Sequence, residues 1–228
     1  MLKKVLLLST VITLSLYTKA QQLQELHHLA SYQTGGSDAA EVVAYDSINH
    51  VVCFTSSAAN TLSYIDISNP NTPVFIKDVN LAPYGGGPNS VDIKNGIVAV
   101  AVEADPKTDP GKVVFFDASG TYLNDVTVGS LPDMIVFSKD GSKILVANEG
   151  EPNDSYTIDP EGSISIIDLS SGVANAAVSH ITFSNYNDKK ISLQNKGIRI
   201  FGNNGSATVA QDLEPEYIAF THDESMAY

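Results

Sequence analysis

Short apolar runs of Val, Ile, Phe, Tyr and Thr recur along the chain, each bounded by Gly, Pro, Asn or Asp. Runs of this length and composition, with turn residues between them, predict β-strands rather than helices. Only residues 185–200 carry a helical pattern, and a weak one. The runs repeat. One motif reads AEVVAY at 40–45, PNSVDI at 88–93, PDMIVF at 132–137 and PEYIAF at 215–220. A second reads SYIDIS at 63–68, VFFDAS at 114–119 and SIIDLS at 165–170. Between them lies a further apolar run (HVVCFTS, GIVAVAVE, KILVANE), and beyond the second lies an outer one such as PVFIKDV or TYLNDVTV. Four short strands per unit, with starts 48 and then 44 residues apart, predict the four-stranded antiparallel blade of a β-propeller. A β-sandwich is the rival all-β arrangement, but it does not call for repeated strand quartets.

The fourth start comes 83 residues after the third. The stretch 181–213 between them is polar and rich in Asn and Gly, and is read as an insertion rather than a blade. The predicted fold is thus all-β: an incomplete propeller over residues 21–228, about three blades plus the start of a fourth. Propellers close with roughly 4–8 blades, so the chain reads as the N-terminal portion of a longer protein.

The N-terminus changes the expected compartment. Lys3 and Lys4 precede an apolar run from Val5 to Leu16, followed by Thr18-Lys19-Ala20. This is the pattern of a signal peptide over residues 1–20, and the run is short for a membrane span of about 20 residues. Export to the cell surface or medium is expected, with no membrane insertion once the signal is removed. The formal net charge is -13, and losing Lys3, Lys4 and Lys19 with no acid leaves -16. Such a surface repels nucleic acid and anionic lipid. The single cysteine, Cys53, sits in the apolar run VVCF and reads as core.

Candidate chemistry is acidic. The segment NEGEPNDSYTIDPEG (148–162) holds Glu149, Glu151, Asp154, Asp159 and Glu161 with no Lys or Arg among them. With blade strands named a to d outward from the channel, this is the b–c loop of the third unit. The b–c loop of the second, EADPKTDPGK (103–112), is also acidic. Antiparallel alternation puts the b–c loops and the starts of the a strands on one rim. The repeated slot at the start of strand a holds Glu41, Asn89, Asp133 and Glu216. Hard divalent cations take oxygen ligands, so Glu41, Asp133, Glu149, Glu151, Asp154, Asp159 and Glu216 are the candidate ligands of a calcium ion. A solvated acidic rim that keeps an exported protein in solution is the other reading. Asp66, Asp117 and Asp168, each followed two residues later by Ser, fall on the opposite rim and predict side-chain-to-backbone turn bonds. No HExxH, CxxC, nucleophile elbow or phosphate loop is present.

The segments LPDMIVFSKDGSKILVANEGEPNDSYTIDPEGSISIIDLS (131–170), GIRIFG (197–202) and VAQDLEPEYIAF (209–220) resemble bacterial choice-of-anchor I family proteins. These are also labelled mesenchyme-specific cell surface glycoprotein-like, and some relatives carry alkaline-phosphatase-like names. The resemblance implies a secreted or surface-attached propeller of the seven-bladed type with a C-terminal anchor or sorting module. It carries over no catalytic residue. Two functional expectations stand: a binding or scaffold module whose acidic rim meets a surface protein, a glycan or an ion, and a calcium-dependent phosphoesterase in which metal-bound water attacks phosphate. Against the second, Arg199 is the only arginine.

Overall fold

A computed structural model describes residues 26–34 and 40–228; the proposed signal segment lies outside them. Among the described residues, twelve strands form three four-stranded antiparallel sheets, and within each sheet every strand pairs with the next in sequence. The first blade comprises β1 (Val43–Asp46), β2 (Val51–Ser56), β3 (Thr61–Asp66) and β4 (Val74–Asn80). The second comprises β5 (Gly87–Lys94), β6 (Ile97–Glu103), β7 (Pro110–Asp117) and β8 (Tyr122–Ser130). The third comprises β9 (Pro132–Phe137), β10 (Lys143–Asn148), β11 (Ser163–Asp168) and β12 (Ala177–Thr182). The repeat in the sequence is therefore the repeat in the fold.

Packing between blades follows from side-chain alternation along a strand. Strand β6 is buried on both faces because it is a middle strand of the middle blade. Its Val98, Val100 and Val102 pack toward the first blade, with Cys53, Leu62 and Tyr64. Its Ala99 and Ala101 point the other way, into a cluster with Ile135, Phe137, Ile144 and Val146 of the third blade. Bulk on one side is thus matched by small residues on the other, as close packing requires. Cys53 is fully buried among these residues, and burial pushes its thiol up to about 12, so it stays protonated.

Polar side chains tie the innermost strands together. The Phe137 amide donates to the Asp92 carboxylate (2.8 Å), the Ile135 amide to the Ser90 hydroxyl (3.3 Å), and the Asn89 side chain to the Pro132 carbonyl (3.2 Å). At each c–d turn the aspartate accepts from the serine amide two residues on: Asp66 from Ser68 (2.7 Å), Asp117 from Ser119 (2.8 Å) and Asp168 from Ser170 (2.8 Å). These are the expected turn bonds, and they hold each of the three carboxyls below its usual range.

Beyond β12, residues 184–189 form a 3-10 turn that leads into α1 (Lys190–Asn195), and α2 (Val209–Asp212) follows. Ile181 and Thr182, the first two residues of the 181–213 stretch, are the end of β12. Thr208 and Gln211 cap α2 reciprocally, each side chain bonding the other's amide. Residues 215–220 do not form a full strand. A single bridge joins Phe220 to Ala227, and Ala219 and Tyr228 exchange backbone bonds of 2.8 Å each. A two-stranded ribbon of this size has little ladder of its own. Its turn still docks against the third blade, where the Lys139 amide donates to Glu224 (2.7 Å) and the Lys139 ammonium bonds the His222 carbonyl.

Candidate functional site

The acidic b–c loops do meet. Gly85 and Gly86 lie where the connection between the first two blades crosses the start of the 103–110 loop. The Gly86 amide donates to the Glu103 carbonyl (2.8 Å), and a Cβ on Gly85 would come within 2.1 Å of that same oxygen. The GGG run is therefore a close backbone crossing. In the third blade, Asn148 closes β10 and anchors the next loop. Its fully buried amide donates to the Ser163 carbonyl (3.2 Å), the Ser163 hydroxyl (3.2 Å) and the Ser165 hydroxyl (2.9 Å), and accepts from the Gly129 amide (3.2 Å). The far end of this loop is held by α2 itself: the Gly162 amide donates to the Ala210 carbonyl (2.9 Å), and the Gln211 side chain to the Asp159 carbonyl (2.9 Å).

These anchors bring Asp133, Glu151, Glu214 and Glu216 within electrostatic reach of Glu149, and Glu103 within reach of Asp133. Burial pushes the Glu149 carboxyl up to about 7, helped by the negative charges of Asp133, Glu151, Glu216 and Glu214. Asp133 is raised by burial and by Glu216 and Glu151, and Glu214 by burial and by Glu151, Asp212 and Asp159. Glu103 is raised mainly by burial, while a contact to Asn89 and the charge of Lys107 oppose the shift. One cation enters the group. Lys107, from the loop of the second blade, forms an ion pair with Glu151, so the carboxylate that has no basic neighbour in its own loop finds one across the blades.

The profile of the choice-of-anchor I domain matches residues 41–228. The chain belongs to the choice-of-anchor I family. Membership supports a surface β-propeller module as its coarse role. Among solved structures, this choice-of-anchor I chain is similar to a candidate 6-phosphogluconolactonase from Bacteroides uniformis ATCC 8492, with TM-score 0.53 and 12% identity over 82% of this chain and 46% of the other. It is also similar to Sqt1 of Saccharomyces cerevisiae, with TM-score 0.50 and 11% identity over 66% of this chain and 37% of the other. At these identities the likeness shows the fold alone, and the chain spans less than half the length of either neighbour. No curated protein matches it in sequence. No helix among the described residues is long and apolar enough to cross a membrane.

Of the seven candidate ligands in this choice-of-anchor I propeller, Asp133, Glu149, Glu151 and Glu216 interact with one another. Glu41 stands apart on the first blade, where it accepts from the Ser57 hydroxyl (2.5 Å). Asp159 faces Asp212, and burial raises its carboxyl. Asp154 turns toward the 202–204 turn. Among the described residues no three His, Cys, Asp or Glu side chains are grouped closely enough, as they stand, to hold an ion. Glu103, Glu214 and Lys107 complete the group. Glu103 and Lys107 are visible in the sequence as the second blade's b–c loop, but their pairing across blades is not.

The raised Glu149 carboxyl makes stability depend on pH. The fold favours its protonated form, so the stabilisation it gives is complete below the usual value of 4.5 and is lost as pH rises through about 7. The group is only half-buried, so solvent screening reduces the effect to about 1 kcal/mol. Glu149→Gln is expected to melt roughly 2–4 °C above the parent at pH 8 and level with it at pH 4.5. Equal melting at both values would show that the repulsion has no energetic weight.

Proposed function

We propose that the protein is a non-catalytic binding module of the cell surface, and that the rim bearing Asp133, Glu149, Glu151, Glu214 and Glu216 engages a cationic ligand. The observation that carries this reading is the Glu149 carboxyl, held near 7 by burial and by four neighbouring carboxylates. A cation at this rim would relieve that repulsion and gain its energy as affinity. Calcium is the ion that carboxylate and carbonyl oxygens suit. Binding it would require side chains of Glu149, Glu151 and Asp133 to close on the ion, since they do not form a ligand shell as they stand. The phosphoesterase reading has no observation in its favour. Lys107 is committed to Glu151, and Arg199 lies over the Phe201 ring, so neither is available to hold a phosphate.

Thermal melting with calcium tests the proposal. With 1 mM CaCl2 the chain is expected to melt several degrees higher than with NaCl of equal ionic strength, and a chelator should reverse the gain. Glu149→Gln combined with Glu151→Gln should abolish it. A shift no larger than that of NaCl would remove calcium from the proposal.

A further inference from the structure

A second concave surface lies outside the blade repeat, between the tip of the 148–162 loop and the turn after α1. It is a groove of about 400 Å3 lined by Asp154, Ser155, Tyr156, Phe201, Asn203 and Asn204. Two aromatic rings flank it. Tyr156 is 44% exposed and Phe201 60% exposed. Singly exposed apolar side chains are ordinary, but these two rings converge on one concave surface.

Both rings are held by their backbones. Residues 153–158 form a tight turn closed by Asn153. Its amide donates to the Ile158 carbonyl (3.0 Å), its carbonyl accepts from the Tyr156 amide (2.8 Å), and its side-chain oxygen accepts from the Thr157 amide (2.9 Å). Tyr156 takes φ +53°, a conformation that a bulky residue rarely adopts. Across the groove, the Asp212 carboxylate accepts from the amides of Phe201 (2.6 Å) and Gly202 (2.7 Å). The Arg199 guanidinium sits 4.8 Å from the centre of the Phe201 ring. The backbones that carry both rings are therefore fixed before binding, which leaves less to order.

We infer that this groove binds a neutral oligosaccharide. The chemistry of the lining selects that class. Sugar rings present C–H faces that stack on aromatic rings, and hydroxyls that both donate and accept. Asp154 accepts, Ser155 does both, and the paired amides of Asn203 and Asn204 offer both donors and acceptors. The lining holds no Lys or Arg to recognise a phosphate or carboxylate, and no aliphatic pocket for the anchor residues of a peptide. The inference does not depend on the acidic rim and holds with or without calcium.

The test titrates the full chain with hexasaccharides of glucose and of N-acetylglucosamine in several linkages, with a proline-rich peptide as comparison. Isothermal calorimetry reads binding, since Tyr156 is one of ten tyrosines in the chain and its fluorescence would not stand out. At least one hexasaccharide is expected to bind with Kd below about 1 mM. Phe201→Ala should weaken it at least tenfold, and Phe201→Tyr should retain it. Tyr156→Ala could disturb the turn, so Tyr156→Asn, which suits φ +53°, removes the ring while keeping the backbone and should also weaken binding at least tenfold at an unchanged melting temperature. The inference is overturned if no hexasaccharide binds with Kd below about 1 mM, if binding survives both ring deletions, or if the peptide alone binds in the groove.

Discussion

Asn148→Leu is expected to lower the free energy of unfolding by about 3 kcal/mol. Leucine keeps the branching of the side chain but is larger, so some overpacking adds to the loss of polar partners. The amide is fully buried and makes contacts to both Ser163 and Ser165 and to the Gly129 amide. Ser165 keeps a second partner in His180 (3.1 Å), whereas the Gly129 amide loses the Asn148 oxygen that accepts from it. A buried unpaired donor costs about 1–3 kcal/mol, and the serine groups add to that. Urea unfolding should show a lower midpoint with an unchanged slope. Gly129→Ala gives a second reading, because its Cβ would lie 2.7 Å from the Asn148 side chain. Asn148→Ala should relieve that cost only in part, because the Asn148 Cβ and the Ser163 hydroxyl, each 2.7 Å away, both remain. A loss below about 1 kcal/mol for Asn148→Leu would mean that this amide does not fasten the two blades.

Gly162→Ala should have an effect of similar size, confined to one region. A Cβ there would fall 2.0 Å from the Leu213 carbonyl oxygen, 2.8 Å from Pro215 and 2.9 Å from the Glu149 carbonyl. Two of these are backbone atoms and cannot rotate aside. Keeping both segments in place would cost more than about 2 kcal/mol, so residues 209–216 are expected to lift away instead. Limited proteolysis should cut between 196 and 216 about tenfold faster, tracking the population of the open form. Glu214 and Glu216 would leave with the segment, so the Glu149 carboxyl should titrate closer to its usual range. Carboxyl chemical shifts measured against pH would read this. Unchanged proteolysis together with an unchanged Glu149 titration would show that this contact does not hold the acidic group together.

The blades were legible because their strands obey a rule local in sequence. Alternation, turn residues and a fixed spacing recur together, and the Asp–x–Ser pairs at 66, 117 and 168 mark the same corner three times. The acidic rim was legible to the extent that blade topology assigns every b–c loop to one end. What could not be read was decided by contacts between units. Lys107 neutralises Glu151 from another blade. Glu214 reaches Glu149 because α2 and Gly162 fold the 183–213 stretch back onto the loop. Glu41 obeys the repeat but is taken by Ser57, a residue without a counterpart in the acidic loops. The aromatic groove has no repeat at all, since both of its walls depart from the blade pattern.

The opposed valine and alanine sides of β6 have a consequence for how such a ring could arise or be re-engineered. Duplicating the second unit in tandem would set its alanine side against its own valine side, the same small-against-large arrangement that it makes with Ile144 and Val146 of the third blade. Successive sectors thus meet by a common steric rule, which a tandem copy would inherit.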